Sequence, residues 1–176
     1  RPLVVAAGRL VPWKHMEGVI TAVAQLHKEG VQASLAIIGE GPERERLVTH
    51  AAEKLGSAVV FTGALSHADT LAVIQSAEVF VLNSSYEGLS HFLIEALMLG
   101  VPTLATRVGG NPEVITDEED GLLVAVGNTS ALSTALARML GDAGLRAYLS
   151  ARARDTAKRF SIDTMLTATA QFLQTV

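Results

Sequence analysis

Two glutamates, Glu87 and Glu95, stand eight positions apart where a strand pattern gives way to a helix pattern. The apolar run Val79–Leu82 predicts a buried strand, residues 83–88 a polar loop, and the residues from Phe92 an amphipathic helix. The start of such a helix offers unpaired backbone N–H groups to an anion such as a diphosphate. A carboxylate on either side can accept paired hydrogen bonds from vicinal hydroxyls. The spacing therefore predicts a site for two diols flanking a diphosphate, as in a sugar nucleotide.

The same segment resembles a known family. The E-x7-E pair is followed directly by Ala-Leu-Met-Leu-Gly-Val-Pro-Thr at positions 96–103. Two glutamates at a loop-to-helix junction are common in themselves, so the whole string over 84–106 carries the resemblance. That string resembles the retaining family 4 glycosyltransferases of the GT-B fold.

The resemblance assigns a role to each residue of the motif. Glu87 would bind hydroxyls of the transferred sugar, and Glu95 the ribose diol of the donor. Phosphate and sugar would be held at the residues between them, namely Gly88, Leu89, Ser90, His91 and Phe92. Many relatives have Pro and Asn where this chain has Ser90 and His91. The Ser90 hydroxyl can add a phosphate contact, and His91 is interpreted as a helix-start residue and not as a catalytic one.

Composition limits the other classes of function. The chain has 176 residues, of which 49% are apolar and 18% charged, as expected for one compact domain. Without cysteine it can form neither disulfides nor thiolate metal sites, and its five histidines lack metal-ligand spacing. A net charge of −4 without a basic run argues against nucleic-acid binding. We expect no metal, no cofactor and no nucleic-acid partner.

Short β-rich runs alternate with longer helical patterns along the chain. The predicted strands cover 3–7, 34–39, 59–62, 79–82, 103–105 and 121–124. The predicted helices cover 16–29, 43–55, 69–75, 92–99, 130–140 and 143–159, with a helix cap at Ser66 and Asp69 and Pro42 at a helix start. Continuously apolar strands separated by helices predict a parallel sheet covered on both faces. The fold class is therefore α/β, a doubly wound, Rossmann-like single domain with three αβα layers over 1–160.

Such sheets bind ligands beyond the carboxyl ends of their strands, so the loops there matter most. The loop after the first strand contains Gly8, Arg9 and Lys14. By resemblance both cations bind the donor diphosphate, where a guanidinium fork and an ammonium can converge on one dianion. The alternative is two solvated loop cations, with Trp13 packing locally.

The loop after the second strand starts Gly39-Glu-Gly41-Pro, which invites a dinucleotide-binding interpretation. That interpretation fails, because Arg44 replaces the third glycine and Val59 stands where an acid should bind the ribose. By resemblance Gly39 and Gly41 let the backbone approach the nucleotide. A plain glycine turn before a helix explains the local sequence equally well.

Two later loops also match the family. The segment with Gly63 and Leu65 contacts the base in relatives through its backbone, although Gly63 as a plain turn residue is the stronger interpretation. The segment 108–113 contains two glycines and a short predicted helix. We expect an ion pair between Arg107 and Glu113 beside it.

The resemblance covers one half of a two-domain enzyme. It implies a donor-binding C-terminal domain, either excised or a fragment of a longer gene product, whose N-terminal acceptor-binding domain is missing and which binds donor without catalysing transfer alone. Residues 161–176 should form an amphipathic helix that crosses toward the missing domain; the alternative, favoured for its first turns, is that it packs on its own domain. Its apolar stripe consists of Ile162, Met165, Leu166, Thr169, Phe172, Leu173 and Val176.

For the intact enzyme, the family implies transfer of a hexose-type sugar with retention and without a metal ion. Arg9, Lys14 and Glu87 are the candidate catalytic residues, with Glu87 acting by positioning and electrostatics. The alternatives are a related GT-B epimerase or phosphorylase, or a non-catalytic sugar-nucleotide-binding module. We expect a cytoplasmic location with no membrane contact from this domain. Membrane association of the intact enzyme, the base, the sugar and the acceptor stay open.

Overall fold

The computed structural model describes residues 1–173, apart from the side chains of Ile162 and Ala168. Within this range the chain forms one sheet of six parallel strands. The strands are β1 Leu3–Ala7, β2 Ser34–Ile38, β3 Val59–Gly63, β4 Val79–Leu82, β5 Thr103–Thr106 and β6 Leu122–Val124. Each lies within one residue of its predicted ends.

The strand order is β3-β2-β1-β4-β5-β6. The first three strands therefore extend the sheet from β1 toward one edge, and the last three extend it from β4 toward the other edge. At the centre, Val5 of β1 pairs with Phe80 of β4. Loops after these two strands leave the sheet toward opposite faces, which opens a crevice between them. The doubly wound, Rossmann-like prediction is confirmed.

Helices connect the strands and cover both faces of the sheet. They are α1 Met16–Lys28, α2 Arg44–Leu55, α3 His67–Gln75, α4 His91–Leu99, α5 Asn111–Val114, α6 Thr129–Gly141, α7 Ala143–Ala157 and α8 Ile162–Leu173. The predicted helices end within two residues of these bounds.

Alternate strand residues feed two separate cores. Val4 and Ala6 of β1 face a core shared with α1, α2 and α6, whereas Val5 and Ala7 face a core shared with α3, α4 and α7. Both faces are apolar because both are covered by helices. Burial of these side chains, at roughly 25 cal/mol per Å² of apolar surface, holds the three layers together. The site loops thus project from a rigid platform.

Of the two predicted helix-start signals, one was correct and one was wrong. Ser66 caps α3 as expected, since its hydroxyl oxygen accepts a 3.1 Å hydrogen bond from the backbone N–H of Asp69. The prediction for Pro42 was wrong. Residues 42 and 43 form a turn in which the Arg44 N–H donates to the Gly41 carbonyl, so α2 begins two residues later.

The predicted ion pair between Arg107 and Glu113 was also wrong. Arg107 pairs with Asp117, with 2.6 Å between Nη2 and Oδ2. The backbone carbonyl of Glu113 instead accepts a hydrogen bond from Arg159. Asp117 lies just before β6, which runs beside β5, so the sheet brings it closer than sequence distance suggests.

In the last helix, α8, four of the described apolar side chains are largely exposed. Met165, Leu166, Phe172 and Leu173 are each more than half exposed. Val176 lies outside the described residues. That α8 crosses toward a further domain stays a prediction. Within residues 1–173, none of the helices combines the length and the apolar character needed to span a bilayer.

Candidate functional site

The loops after β1 and β4 are joined by hydrogen bonds at the central crevice. The backbone N–H of Ser85 donates to the Trp13 carbonyl at 2.8 Å, and Asn83 Nδ2 donates to the His15 carbonyl at 3.0 Å. His15 takes a left-handed backbone conformation with φ of 44°. These contacts fix the β1 loop, which carries Lys14, against the β4 loop, which carries Glu87.

Lys14 and Glu87 form an ion pair at the centre of the crevice. Lys14 Nζ lies 2.5 Å from Glu87 Oε1, and the two side chains are only 17% and 10% exposed. Ser84 Oγ donates to the same carboxylate oxygen at 2.6 Å. Glu87 Oε2 accepts no hydrogen bond from residues 1–173. Lys14 and Glu87, which were predicted to contact different parts of the sugar-nucleotide donor, thus contact each other. The Oε2 atom of Glu87 is left open.

A buried chain of hydrogen bonds supports Ser84 from behind. Thr106 Oγ1 donates to the Ser84 carbonyl at 2.6 Å, and Asn111 Nδ2 donates to the Thr106 carbonyl at 2.9 Å. All three residues are fully buried. Asn111 Oδ1 is buried without a partner. The sequence analysis missed this chain, because lone Ser, Thr and Asn residues carry no spacing signal.

The glycine loop after β5 packs directly on the Glu87 loop. Gly109 has φ of 51°, and a Cβ atom there would lie 1.8 Å from the Glu87 carbonyl oxygen. The Gly110 N–H donates to the Gly88 carbonyl at 3.0 Å. Only glycine permits both this backbone conformation and this approach. The segment 108–110 is therefore part of the site's support.

The start of α4 presents open backbone donors. Ser90 precedes the helix in an extended conformation and provides no side-chain cap. The N–H groups of Leu89, Ser90, His91 and Phe92 have no acceptor within residues 1–173. Together with the helix dipole they suit an anion. His91 is exposed and Ser90 buried.

Glu95 lies one turn into α4 and is held differently from Glu87. Its Oε1 lies 2.7 Å from Nε2 of His67, at the first position of α3. Its Oε2 is buried and has no hydrogen-bond partner among the residues that the structure describes. The sequence analysis treated His67 as an ordinary residue, because its 28-residue separation from Glu95 gave no sign of contact.

Arg9 stands apart from these pairs. Its side chain is exposed and forms no ion pair within the described residues. Its guanidinium keeps all five N–H donors, and Lys14 keeps two of its three beyond Glu87. The loop after β1 can therefore offer both cations to an anion.

The other predicted glycines are explained by backbone contacts. A Cβ at Gly39 would lie 2.0 Å from the Gly8 carbonyl oxygen, and one at Gly41 would lie 2.3 Å from the Leu10 carbonyl oxygen. The Gly39 N–H already donates to the Gly63 carbonyl at 2.9 Å. A role of these residues in nucleotide binding stays a prediction.

Two further placements complete the list of predicted residues. The Gly8 N–H donates to the Ile38 carbonyl at 3.0 Å, so that amide is already engaged. Leu65 is partly buried and packs against the core shared with α3, α4 and α7. Among the described residues, no cluster of three or more His, Cys, Asp and Glu side chains is arranged to bind a metal ion.

A doubly wound α/β domain with charged residues at its central crevice is the class that fold and site define. The family described as "Glycosyl transferases group 1" matches residues 1–156, and the chain belongs to this family.

Two curated relatives illustrate the family. The chain is 38% identical over 162 residues to the lipopolysaccharide core biosynthesis glycosyltransferase LpsD of Rhizobium meliloti, which covers 90% of this chain and 45% of that protein. It is 36% identical over 151 residues to a GDP-mannose-dependent α-(1-6)-phosphatidylinositol monomannoside mannosyltransferase of Mycolicibacterium smegmatis, covering 81% of this chain and 39% of that protein. The chain thus spans less than half the length of these relatives.

Among solved structures, the fold resembles that of Anabaena HepE in complex with UDP. The TM-score is 0.89 at 22% identity, over 99% of this chain and 49% of that one. At this identity the likeness establishes the shared fold.

Proposed function

We propose that this chain is the donor-binding half of a retaining glycosyltransferase, which transfers a hexose-type sugar from a nucleoside diphosphate to an acceptor. The observation that carries the proposal is the order of groups around the crevice. A carboxylate with an open oxygen stands at Glu87, open N–H groups follow at 89–92, and a second carboxylate stands at Glu95. Lys14 adds positive charge at Glu87, and Arg9 offers a second cation from the same loop. A diphosphate between two sugars needs this order of groups.

In this proposal Arg9 and Lys14 act on the leaving group. Negative charge develops on the diphosphate as its bond to the anomeric carbon breaks, and preorganised cations and N–H groups stabilise that charge. The β1 loop is held by hydrogen bonds to the β4 loop before any donor arrives. Since these groups supply the charge stabilisation, we propose that the reaction requires no metal ion.

Glu87 positions the transferred sugar. Its Oε1 accepts hydrogen bonds from the Lys14 ammonium, which balances its charge, and from the Ser84 hydroxyl. Its Oε2 is open to sugar hydroxyls. A carboxylate engaged in this way is a poor nucleophile but a well-fixed hydrogen-bond acceptor. We therefore assign it positioning and electrostatic roles. Glu95 takes the ribose diol at the other end of the donor.

The relatives support a nucleotide-sugar donor and leave its base open. One is named for its dependence on GDP-mannose, and a structural neighbour was solved with UDP. Because the chain spans less than half of its relatives, we propose that transfer also needs a separate acceptor-binding domain. On its own the chain should bind donor and leave the sugar in place.

The test is a calorimetric titration of the chain with UDP, GDP, ADP and TDP, each with and without magnesium. We expect one nucleotide to bind with Kd of ~10 µM to 1 mM, or roughly 4–7 kcal/mol. Arg9→Ala should abolish detectable binding, because it removes the unpaired fork beside the diphosphate. Arg152→Ala is the matched control, since Arg152 is also exposed and forms only a 3.6 Å pair with Glu119 on the surface.

Binding of none of the four nucleotides by a folded sample would contradict the proposal. So would equal loss in Arg9→Ala and Arg152→Ala, which would point to a general charge effect. A strict magnesium requirement would overturn only the metal-independent part. Once the rest of the protein is joined to this half, NMR of the product's anomeric proton tests retention directly.

A further inference from the structure

We propose that His67 is a positioning residue for Glu95, and that it holds this carboxylate in the orientation that accepts the donor's ribose. The proposal rests on the proposed function, in which Glu95 binds the ribose diol. His67 Nε2 lies 2.7 Å from Glu95 Oε1. An ionised carboxylate only accepts hydrogen bonds, so Nε2 carries the proton and donates it.

The backbone that carries the imidazole is held in place by a helix cap. The Ser66 hydroxyl oxygen accepts the Asp69 N–H at 3.1 Å, and the hydroxyl donates to the Asp69 carboxylate at 2.6 Å. This cap fixes the turn of α3 on which His67 lies. Further along, Ile74 packs in one core with Leu93 of α4. The donor nitrogen and the carboxylate are thus carried by two packed helices.

Glu95 needs such a contact because space is open on its other side. A groove of about 380 Å³ lies beside α4, and its lining includes Glu95, Met98, Arg159 and Met165. The guanidinium of Arg159 is exposed and makes a 3.1 Å hydrogen bond to a backbone carbonyl. Without His67, the carboxylate could turn into this groove toward that cation. The imidazole keeps it on the side of α3.

The unpaired oxygen indicates what the held carboxylate is for. Glu95 Oε2 is buried and accepts no hydrogen bond within the described residues. Such an atom lacks the hydration that an exposed carboxylate would have, and a ligand hydroxyl restores the missing bond. A vicinal diol needs two acceptor positions: the second lone pair of Oε1 is one, and Oε2 becomes the other when the ribose displaces the groups that cover it.

The experiment compares UDP and GDP with their 2′,3′-dideoxy forms, by calorimetry on the full chain. His67→Ala should weaken binding of the preferred ribonucleotide about fivefold to tenfold, which corresponds to the net contribution of one ordinary hydrogen bond. Binding of its dideoxy form should be unchanged. His67→Gln, which keeps an N–H donor, should restore most of the affinity. In a Glu95→Gln background, His67→Ala should have no further effect.

His50→Ala is the matched control, because His50 lies on α2 and its side-chain hydrogen bond goes to Thr21, at 3.5 Å. Equal losses for both forms of the nucleotide would give His67 a purely structural role and overturn the proposal. Tighter ribonucleotide binding by His67→Ala would show that the imidazole competes with the ribose, which also overturns it. If Glu95→Gln does not reduce the preference for ribose, the assignment of Glu95 fails first. If Glu95→Gln reduces the preference for ribose but His67→Ala leaves ribonucleotide affinity unchanged, the proposed function stands and this inference is wrong.

Discussion

Glu87 and Glu95 have the same chemistry, yet the protein holds them in different ways. Glu87 receives Lys14 and Ser84 on one oxygen and lies among loops from three strands. Within residues 1–173, Glu95 receives a hydrogen bond from one exposed imidazole, and its second oxygen has no partner. The difference shows that Glu87 is fixed by two side-chain donors, whereas Glu95 is fixed by one and has a buried oxygen that no described residue hydrogen-bonds.

The sheet explains why the two ends differ. Glu87 follows β4, which lies between β1 and β5, so the loops after all three strands meet around it. Glu95 lies within α4, one of the helices that cover the sheet, and its polar contact comes from His67 of α3. We therefore expect changes around Glu87 to act mainly on folding stability. Changes around Glu95 should act mainly on ligand binding.

The largest effect should come from Gly109→Ala. The new Cβ would lie 1.8 Å from the Glu87 carbonyl oxygen at a φ of 51°. Left-handed strain and the displaced backbone together should lower the free energy of unfolding by about 3–5 kcal/mol. Urea denaturation measures this loss. Gly127→Ala is the control, since φ there is 74° but no atom lies within 4 Å of the Cβ position.

Gly127→Ala isolates the conformational strain, about 1–2 kcal/mol. If both variants lose the same amount, the contact between segment 108–110 and the Glu87 loop contributes nothing, and the comparison between the two ends fails at its strongest point.

The second effect is expected from Lys14→Met. The change leaves the Glu87 carboxylate largely buried, with only the Ser84 hydroxyl as partner. We expect a loss of about 2–3 kcal/mol in unfolding free energy, because removing one member of a buried pair strands the other. The double variant Lys14→Met/Glu87→Gln should recover part of this loss. Urea unfolding of four proteins, the unsubstituted chain, Lys14→Met, Glu87→Gln and the double variant, completes a double-mutant cycle, and strict additivity would show that the pair does not interact energetically.

Ser84→Ala should have a smaller effect. It removes the 2.6 Å hydrogen bond to Glu87 but leaves Lys14 in place. The unfolding free energy should fall by about 1 kcal/mol. Ser57→Ala, at an exposed turn position, is the matched control and should not change it. If the control lost as much unfolding free energy as Ser84→Ala, the hydrogen bond from the Ser84 hydroxyl would not stabilise the fold.

The strands could be predicted closely because their signal is local. Continuous apolar runs such as Val79–Leu82 need no knowledge of the rest of the chain, and all six strands end within one residue of prediction. Turn and cap signals are weaker. Ser66 was placed correctly, whereas Pro42 lies in the preceding turn because a proline fits both settings.

The contacts within the site could not be predicted in the same way. Lys14 and Glu87 are 73 positions apart, and a sequence shows two charged loop residues without showing that they meet. Gly109 was noted only as one of two glycines in the segment 108–113, because only the folded loops reveal the Glu87 carbonyl beside it. Arg107 was paired with the nearer Glu113, although the neighbouring strand brings Asp117 to it. Parallel sheets join distant segments, so side-chain partners are set by topology.

The smallest effect on stability should come from Glu95→Gln. The variant loses the charge in the hydrogen bond from His67, but it also removes a carboxylate whose buried Oε2 has no donor. These terms oppose each other, so the unfolding free energy should change by no more than about 0.5 kcal/mol. Thermal and urea unfolding measure it on the protein used for nucleotide titration. A loss as large as that of Lys14→Met would mean that Glu95 also belongs to a preformed network, and the distinction between the two carboxylates would not hold.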